Sequence, residues 1–402
     1  MPSTFTWLDY SEHERKTMLD VVELFGEKST VDEIGIGQVR DAFADLWFPG
    51  TSTIQTAAKY FLLVPWTYLS LEQRHVGSER FADEARKIET KTIQHLIDSG
   101  AQNGIIGRVA RDSLQRLPSA VYWQGLRTWG IRQCEGSQDF YHRSIDDYYS
   151  QGVEFRHLKS VFHGETTESE PHNWNSGIPT MPKGFPEGAS LDLTKEEATF
   201  LRHRVQENCK NSLLEFLLTE NVAIDGETFV WDLPIDLPPN LLDQVEHGRR
   251  FSEAMHGAQL LYNIILADLK KWDEQISLFR DEWERWTETI NARLDNFQTW
   301  DLKRFWEIVG TGNRNISPRA SDFIGKWIRL VQEAKNVGEL RNSEIARDLI
   351  STRERQIKKG LARVGGGRPL ELWKGESGAA QLDLRWRSAR RIIVEILKGL
   401  GT

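Results

Sequence analysis

Four hundred and two residues, 39% hydrophobic, 27% charged and 10% aromatic, describe an ordered globular chain of about two or three domains and exclude intrinsic disorder as its main state. A net charge of -8 excludes a chain that coats nucleic acid by bulk electrostatics, and the two cysteines, Cys134 and Cys209, cannot build a disulfide framework or a four-thiolate zinc site. No stretch reaches the roughly 18 apolar residues of a membrane helix, and Met1 to Asp9 lacks a charged and then apolar export signal, so a cytoplasmic protein without membrane contact is expected.

Helical periodicity dominates. Ser11 and Glu14 form a capping-box pattern ahead of Met18, Val21, Val22 and Phe25, with Gly26 as the stop. Val39, Phe43, Leu46 and Trp47 mark a second helix that ends at Pro49-Gly50. Ile54, Ala57, Ala58, Phe61 and Leu62 mark a third that stops before Pro65, so the two form a tight helical hairpin. Phe81, Ala85, Ile88, Thr92 and Leu96 carry the pattern to Gly100. Between Gly164 and Asp192 the composition shifts to Pro171, Pro179, Pro182, Pro186 and glycine without a period, which reads as a linker or a long ordered loop. Thr194 and Glu197 then form another capping box, followed by Ala198, Leu201, Val205, Cys209 and Leu213 at helical spacing. Tyr262, Ile265, Leu269, Trp272, Ile276, Phe279, Trp283, Trp286 and Ile290 keep a 3-4 spacing that predicts one long helix of about 60 Å with an aromatic seam, packed in a bundle core or in a coiled coil. Thr228–Trp231 is the only strand candidate. The expected fold is mainly α. A helical domain spans 1–163 with the hairpin, a linker or lid spans 164–192, and a second helical domain spans 193–402. From Arg341 to Thr402 that domain carries 14 Lys and Arg against 7 Asp and Glu, a basic tail on an acidic body.

The chain has no phosphate-loop GxxxxGK[ST], HExxH, GxSxG or paired CxxC. His157, His163 and His172 beside Glu165 do not match a compact metal-ligand set. Gly365-Gly-Gly367 lacks the setting of a dinucleotide loop and reads as a turn. The hairpin is more informative. Its turn places the amides of Gly50, Thr51 and Ser52 and the hydroxyls of Thr51, Ser52 and Thr53 at an expected helix N-terminus, a ready site for a DNA phosphate. It resembles the helix-hairpin-helix of base-excision DNA glycosylases, although the turn is longer and Ser52 stands where the second glycine belongs; an ordinary capped hairpin also fits. Asp41 and Asp45 are one turn apart on the preceding helix and read either as cleft carboxylates or as a solvated face. In a second cluster Tyr122, Trp123 and Trp129 are suited to stack on bases or to fill a core, and Arg127, Arg132 and Arg143 are suited to phosphates. Asp139 and His142 close that cluster.

Asp32-Glu-Ile-Gly-Ile-Gly37, Phe48-Pro-Gly-Thr-Ser-Thr-Ile-Gln-Thr56, Val64-Pro-Trp66, Leu117-Pro-Ser-Ala-Val-Tyr-Trp123, Trp129-Gly-Ile-Arg132, His256-Gly-Ala, Leu261-Tyr-Asn263 and Leu384-Arg-Trp386 together resemble a bacterial family of chains of about 400 residues. That family carries no assigned function and is associated with anti-phage DNA glycosylases that remove glucosylated hydroxymethylcytosine from phage DNA. The resemblance implies a monofunctional glycosylase that extrudes the nucleotide, hydrolyses its N-glycosidic bond and leaves an abasic site. In such an enzyme Asp45, then Asp139 or Asp41, serves as the carboxylate that stabilises the oxocarbenium ion or orients water. Trp66, Tyr122, Trp123, His142 and Asn263 form the base or sugar pocket, with Asn173, Asn175 and Gln124 as further hydroxyl-binding candidates. Gly50, Thr51, Ser52, Thr53, Arg127, Arg132 and Arg143 hold phosphates. Neither metal nor cofactor is needed, and a lyase route through Lys59 has thin support. DNA is the expected partner, and no protein partner is identified. The competing expectation is a non-enzymatic helical DNA- or protein-binding subunit of a defence system.

Overall fold

A computed structural model describes residues 32–100, 103–161, 172–224, 226–312 and 314–401; the helix expected between Ser11 and Gly26 lies outside them. The protein is mainly α. Among the described residues the only β pairing is an isolated antiparallel bridge between Arg132 and Trp174. The strand candidate Thr228–Trp231 instead runs into a 3-10 turn at Val230–Asp232, where the rings of Phe229 and Trp231 stack 4.8 Å apart. No helix among the described residues is long and apolar enough to cross a membrane.

Helix α1 (Gly37–Trp47) starts where the Asp32 carboxylate accepts the Ile36 and Gly37 amides at 2.7 and 2.9 Å, and it ends before Pro49-Gly50 as expected. Helix α2 (Tyr60–Gln73) departs from the sequence reading at both ends, starting after Ile54 to Ala58 and continuing through Pro65. Pro65 has no N–H to give to the Phe61 carbonyl. Every residue from Tyr60 to Tyr68 is buried, and that burial outweighs the missing bond. Helix α3 (Ser78–Asp98) is the amphipathic helix read through Phe81 and Leu96. Helices α4 (Pro118–Thr128), α5 (Gln138–Arg143) and α6 (Ile145–Val161) follow. Helix α7 (Lys195–Asn208) opens on the expected reciprocal capping box of Thr194 and Glu197, and Ser212 caps the separate α8 (Leu213–Thr219).

The expected single helix through Tyr262 and Ile290 is two, α9 (Pro239–Lys270) and α10 (Asp273–Asn291), because Lys271 turns the chain at φ +53° and Trp272 precedes the new helix. The seam is nevertheless packed within one chain. Tyr262, Phe279, Trp283, Trp286 and Ile290 are buried, and the Trp286 indole donates to the Glu253 carbonyl at 2.8 Å. Gly257 lies against that indole ring, where a Cβ would overlap it. Helices α11 (Leu302–Thr311), α12 (Pro318–Glu333), α13 (Glu344–Lys358) and α14 (Trp386–Leu400) complete the set of longer helices.

Contacts gather the chain into two compact units, each assembled from separate stretches. The first joins the described residues up to Ala42 with Glu246–Leu382, and the second joins Phe43–Val245 with Asp383–Thr402. These edges differ from the expected boundaries at 163 and 193. The described part of the Pro-rich stretch lies inside the second unit, and α14 packs on α7 and α8 there, so the basic tail is divided between units at Leu382.

Candidate functional site

In the second unit, α2, α3, α4 and α5 turn Tyr68, Phe81, Trp123, Tyr141 and His142 toward one another, and Trp174 of the Pro-rich stretch completes the group. Tyr68 stacks on Trp174 at 5.7 Å and meets Tyr141 edge-on at 5.4 Å, while Trp123 and Tyr141 lie 5.5 Å apart. Such pairs contribute about 0.5–1.5 kcal/mol each beyond burial. They fix the rings as a rigid wall.

Two carboxylates lie in this aromatic setting. Glu72 accepts from the Tyr141 hydroxyl at 2.5 Å, the Asn173 amide at 3.0 Å and the Trp174 indole at 3.1 Å. Burial raises its pKa, and these three neutral donors recover only part of the shift. Glu89 is 3% exposed and accepts from the Ser119 hydroxyl and amide at 2.7 and 2.8 Å. Burial pushes it up to about 7 against those two bonds. Gln138 ties this pair onward, donating to Ser119 Oγ at 2.8 Å and to the Tyr68 hydroxyl at 2.6 Å. His142 Nε2 lies 3.1 Å from that same hydroxyl, and burial lowers the pKa of its ring.

Beside this wall opens a pocket of about 290 Å³. Phe140, Tyr141 and Tyr148 supply its aromatic surface, and Glu135, Ser144, Asp147, Gln151, His172 and Asn173 its polar groups. Glu72, behind the wall, orients Tyr141 and Asn173 through their hydrogen bonds. On α6, Asp146 is engaged by the Ser78 hydroxyl at 2.5 Å, whereas its neighbour Asp147 lines the pocket. Phe140 is 54% exposed, an unusual position for a large apolar ring. The arrangement can receive a flat ring against aromatic side chains and bond its edge with amide and imidazole groups, and it has two carboxylates in its lining, Glu135, which pairs with Arg127, and Asp147.

The expected carboxylates lie elsewhere. Asp45 pairs with Arg385 at 2.6 Å, Asp41 pairs with Arg40 at 2.9 Å and lies 3.9 Å from Arg314, and Asp139 pairs with Arg143 at 2.7 Å in full solvent. None of them lines the pocket. Trp66 and Tyr122 are buried and locked, the first donating to the Pro179 carbonyl at 2.8 Å and the second to Ala57 at 2.8 Å while accepting the Thr56 and Ala57 amides. Trp123 and His142 stand in the wall, and Asn263 is in the first unit, fully buried and bonded to Gln259 and Ser377. Lys59 forms a buried ion pair with Glu197 at 2.6 Å.

Gly50, Thr51, Ser52 and Thr53 precede no helix, because α2 begins only at Tyr60. Thr51 spends its amide and hydroxyl on the Phe48 carbonyl, and Ser52 gives its amide to Gln55. The turn is a packing device: the Trp129 indole donates to Pro49 at 2.9 Å, and Gly125 of α4 lies directly beneath the Gly50 carbonyl. Arg132 is 2% exposed, lies 4.5 Å over the Trp123 ring and donates to backbone carbonyls, so it is structural. Arg127 and Arg143 remain at the surface, paired with Glu135 and Asp139. Of the further polar candidates, Asn173 reaches the pocket, whereas Gln124 is exposed and Asn175 bonds Gly177. Of the histidine group only His172 has a described side chain; His157, His163 and Glu165 lie outside. Both cysteines are free, and burial raises both thiols, Cys209 to about 12, so neither is a ready thiolate.

A family profile matches residues 2–399. The chain belongs to the family of unknown function DUF6361. Neither a curated protein nor a solved structure matches it. Within this DUF6361 chain Asp147 and Tyr148 carried no sequence signal of their own, while Phe140 lay inside the stretch from Asp139 to Arg143 without a role assigned to it. The one available cue was the aromatic and acidic density from Asp139 to Tyr149, where the sequence reading stopped at Arg143.

Proposed function

We propose that this chain is a DNA glycosylase that hydrolyses the N-glycosidic bond of glucosylated hydroxymethylcytosine in phage DNA and leaves an abasic site. The observation that carries the reading is Asp147 at the rim of a pocket walled by Phe140, Tyr141 and Tyr148. The family resemblance named from the sequence motifs supplies the substrate class. A flipped base stacks on these rings, and Asn173 and His172 bond its polar edge or the attached sugar. Water adds to the sugar's anomeric carbon as the bond to the base breaks. The bond electrons leave with the base, which takes up a proton. Asp147 stabilises the positive charge on the sugar and accepts the water proton, the role expected of Asp45, Asp139 or Asp41. Arg127 and Arg143 are the surface cations nearest in sequence to hold the flanking phosphates.

The test is incubation of the purified protein, with chelator, on glucosylated hydroxymethylcytosine DNA and on unmodified DNA, read by mass spectrometry for free base and by alkali for abasic sites. Release from the modified DNA alone is expected, and Asp147→Asn should reduce it at least about a hundredfold with an unchanged melting temperature. Release that survives Asp147→Asn moves the chemistry to another carboxylate. DNA retention without release from either substrate favours the non-enzymatic binding subunit.

A further inference from the structure

A second concavity, of about 670 Å³, lies in the first unit between α11 and α12. Lys303, Trp306 and Gly310 share one face of α11 at spacings of three and four, and Asp322, Gly325, Lys326 and Arg329 share the facing side of α12. Arg314, between the two helices, adds a fourth cation, so four positive side chains line the groove against the single carboxylate of Asp322. Lys326 is held by that carboxylate at 2.8 Å, while Lys303 lies 4.0 Å from Glu307 and Arg314 3.9 Å from Asp41, two carboxylates outside the groove lining.

The glycines are the second observation. Gly325 is buried in the middle of a sixteen-residue helix, where glycine costs about 1 kcal/mol relative to alanine, and Gly310 stands in the last turn of α11. Neither has a positive φ, and a Cβ at either position would meet no atom within 4 Å. Backbone conformation and internal packing therefore do not require glycine here. What glycine provides is a floor that another backbone can approach closely.

We propose that this groove binds a nucleic-acid strand, its phosphates on Lys303, Arg314, Lys326 and Arg329 and a base against Trp306. Charge complementarity and a half-exposed indole beside spaced cations are the combination that single strands use. The inference goes beyond the excision reading: it uses none of the pocket residues and stands whether or not a base is released.

Fluorescence anisotropy of the full chain with labelled single-stranded and duplex oligonucleotides, across a salt series, tests it. Lys303→Ala with Arg329→Ala should weaken strand binding at least tenfold and reduce the slope of log affinity against log salt by about two. Trp306→Ala should cost about tenfold to a hundredfold. Gly310→Leu, which leaves every charge in place and favours helix, should block binding by filling the groove. Wild-type affinity in all three variants overturns the proposal. So does tight binding of ATP or inorganic phosphate that the variants abolish when neither strand binds, since the groove is then a small-anion site. Equal competition by polyglutamate also overturns it, because only charge is then recognised. Base release can fail entirely while the groove variants still lower strand affinity, so the two readings are separable.

Discussion

In the first unit, Glu354 is fully buried and has the Lys358 ammonium at 3.1 Å together with the Tyr262 hydroxyl at 2.6 Å and the amides of Arg363 and Val364. In the second unit, Glu89 is buried almost as deeply and accepts its hydrogen bonds from Ser119, with the Arg86 charge as the smallest of the influences on it. The consequences are opposite. Burial alone would raise Glu354, but its donors and Lys358 hold it below the ordinary carboxylate range, whereas Glu89 is raised to about 7. Glu33, also buried, is likewise paired with cations, Lys358 and, at 2.9 Å, Arg363. Glu72 and Glu395 repeat the second: burial raises both, and the Ala58 amide that bonds Glu395 at 2.6 Å does not bring it below about 7. A buried carboxylate with a cation is a structural tie. One that holds neutral donors is poised to keep a proton near neutral pH, and such groups gather at functional sites. The aromatic pocket stands beside Glu72, in the unit where that second pattern prevails.

The largest effect should come from breaking the buried Lys59–Glu197 ion pair, which departs from this pattern in the second unit. Lys59→Met leaves Glu197, 5% exposed, without its cation, and the expected loss is about 3–5 kcal/mol at pH 7.5 by urea denaturation. Lys59→Arg, which keeps the charge, should recover part of that loss; an equal loss in both variants would mean that Lys59 acts through its packing 5.2 Å from the Trp66 ring rather than through charge.

Glu89→Gln sharpens the comparison from the other side. Because its folded pKa lies above the ordinary 4.5, Glu89 binds more protons folded than unfolded between about 4.5 and 7. Its contribution is therefore fully favourable below 4.5 and is lost as pH rises through 7. Glutamine, which does not ionise and can still bond Ser119, should match the wild type near pH 4.5 and exceed it by up to about 3 kcal/mol at pH 8. Glu354 carries the reverse sign: its contribution is present at neutral pH and is lost on acidification. Hydrogen exchange across this range should show the second unit loosening toward alkaline pH and the first toward acid. Parallel behaviour of the two units would refute the distinction.

How much of this was legible in the sequence follows from range. Local signals were read correctly where neighbours decide them: the stop of α1 at Pro49-Gly50, the periodicity of α3, and the Thr194–Glu197 capping box. Errors occurred where distant residues decide. Pro65 reads as a helix stop until the burial of α2 is known, and Lys271 breaks the aromatic seam without a glycine or proline to signal it. At the Gly50 turn the sequence shows the donors but not what they meet: Phe48 accepts the Thr51 amide and hydroxyl and Gln55 the Ser52 amide, while the Ser52 hydroxyl is buried with no hydrogen-bond partner. The pocket was half legible: the stretch from Trp123 to Arg143 was singled out, but the groups that open to solvent lie on α6 and in the Pro-rich stretch, brought there by tertiary packing.

The smallest stability effect is expected at Asp139, and it separates the two readings of the acidic cluster. Asp139 and Arg143 are one turn apart on α5, both more than 70% exposed and 2.7 Å from each other. Exposed pairs of this kind contribute about 0.2–1 kcal/mol or nothing measurable, because solvent screens them and the long arginine side chain loses freedom in holding the contact. Asp139→Asn should therefore leave the urea midpoint within about 0.5 kcal/mol of the wild type. It should also leave base release intact, because its neighbour Phe140 lines the pocket and Asp139 does not. If base release instead fails in Asp139→Asn and persists in Asp147→Asn, with both proteins folded, the carboxylate that works on the sugar is the one expected from the sequence. The substrate must then approach along the exposed face of α5, with Phe140 as its stacking ring, rather than enter over α6.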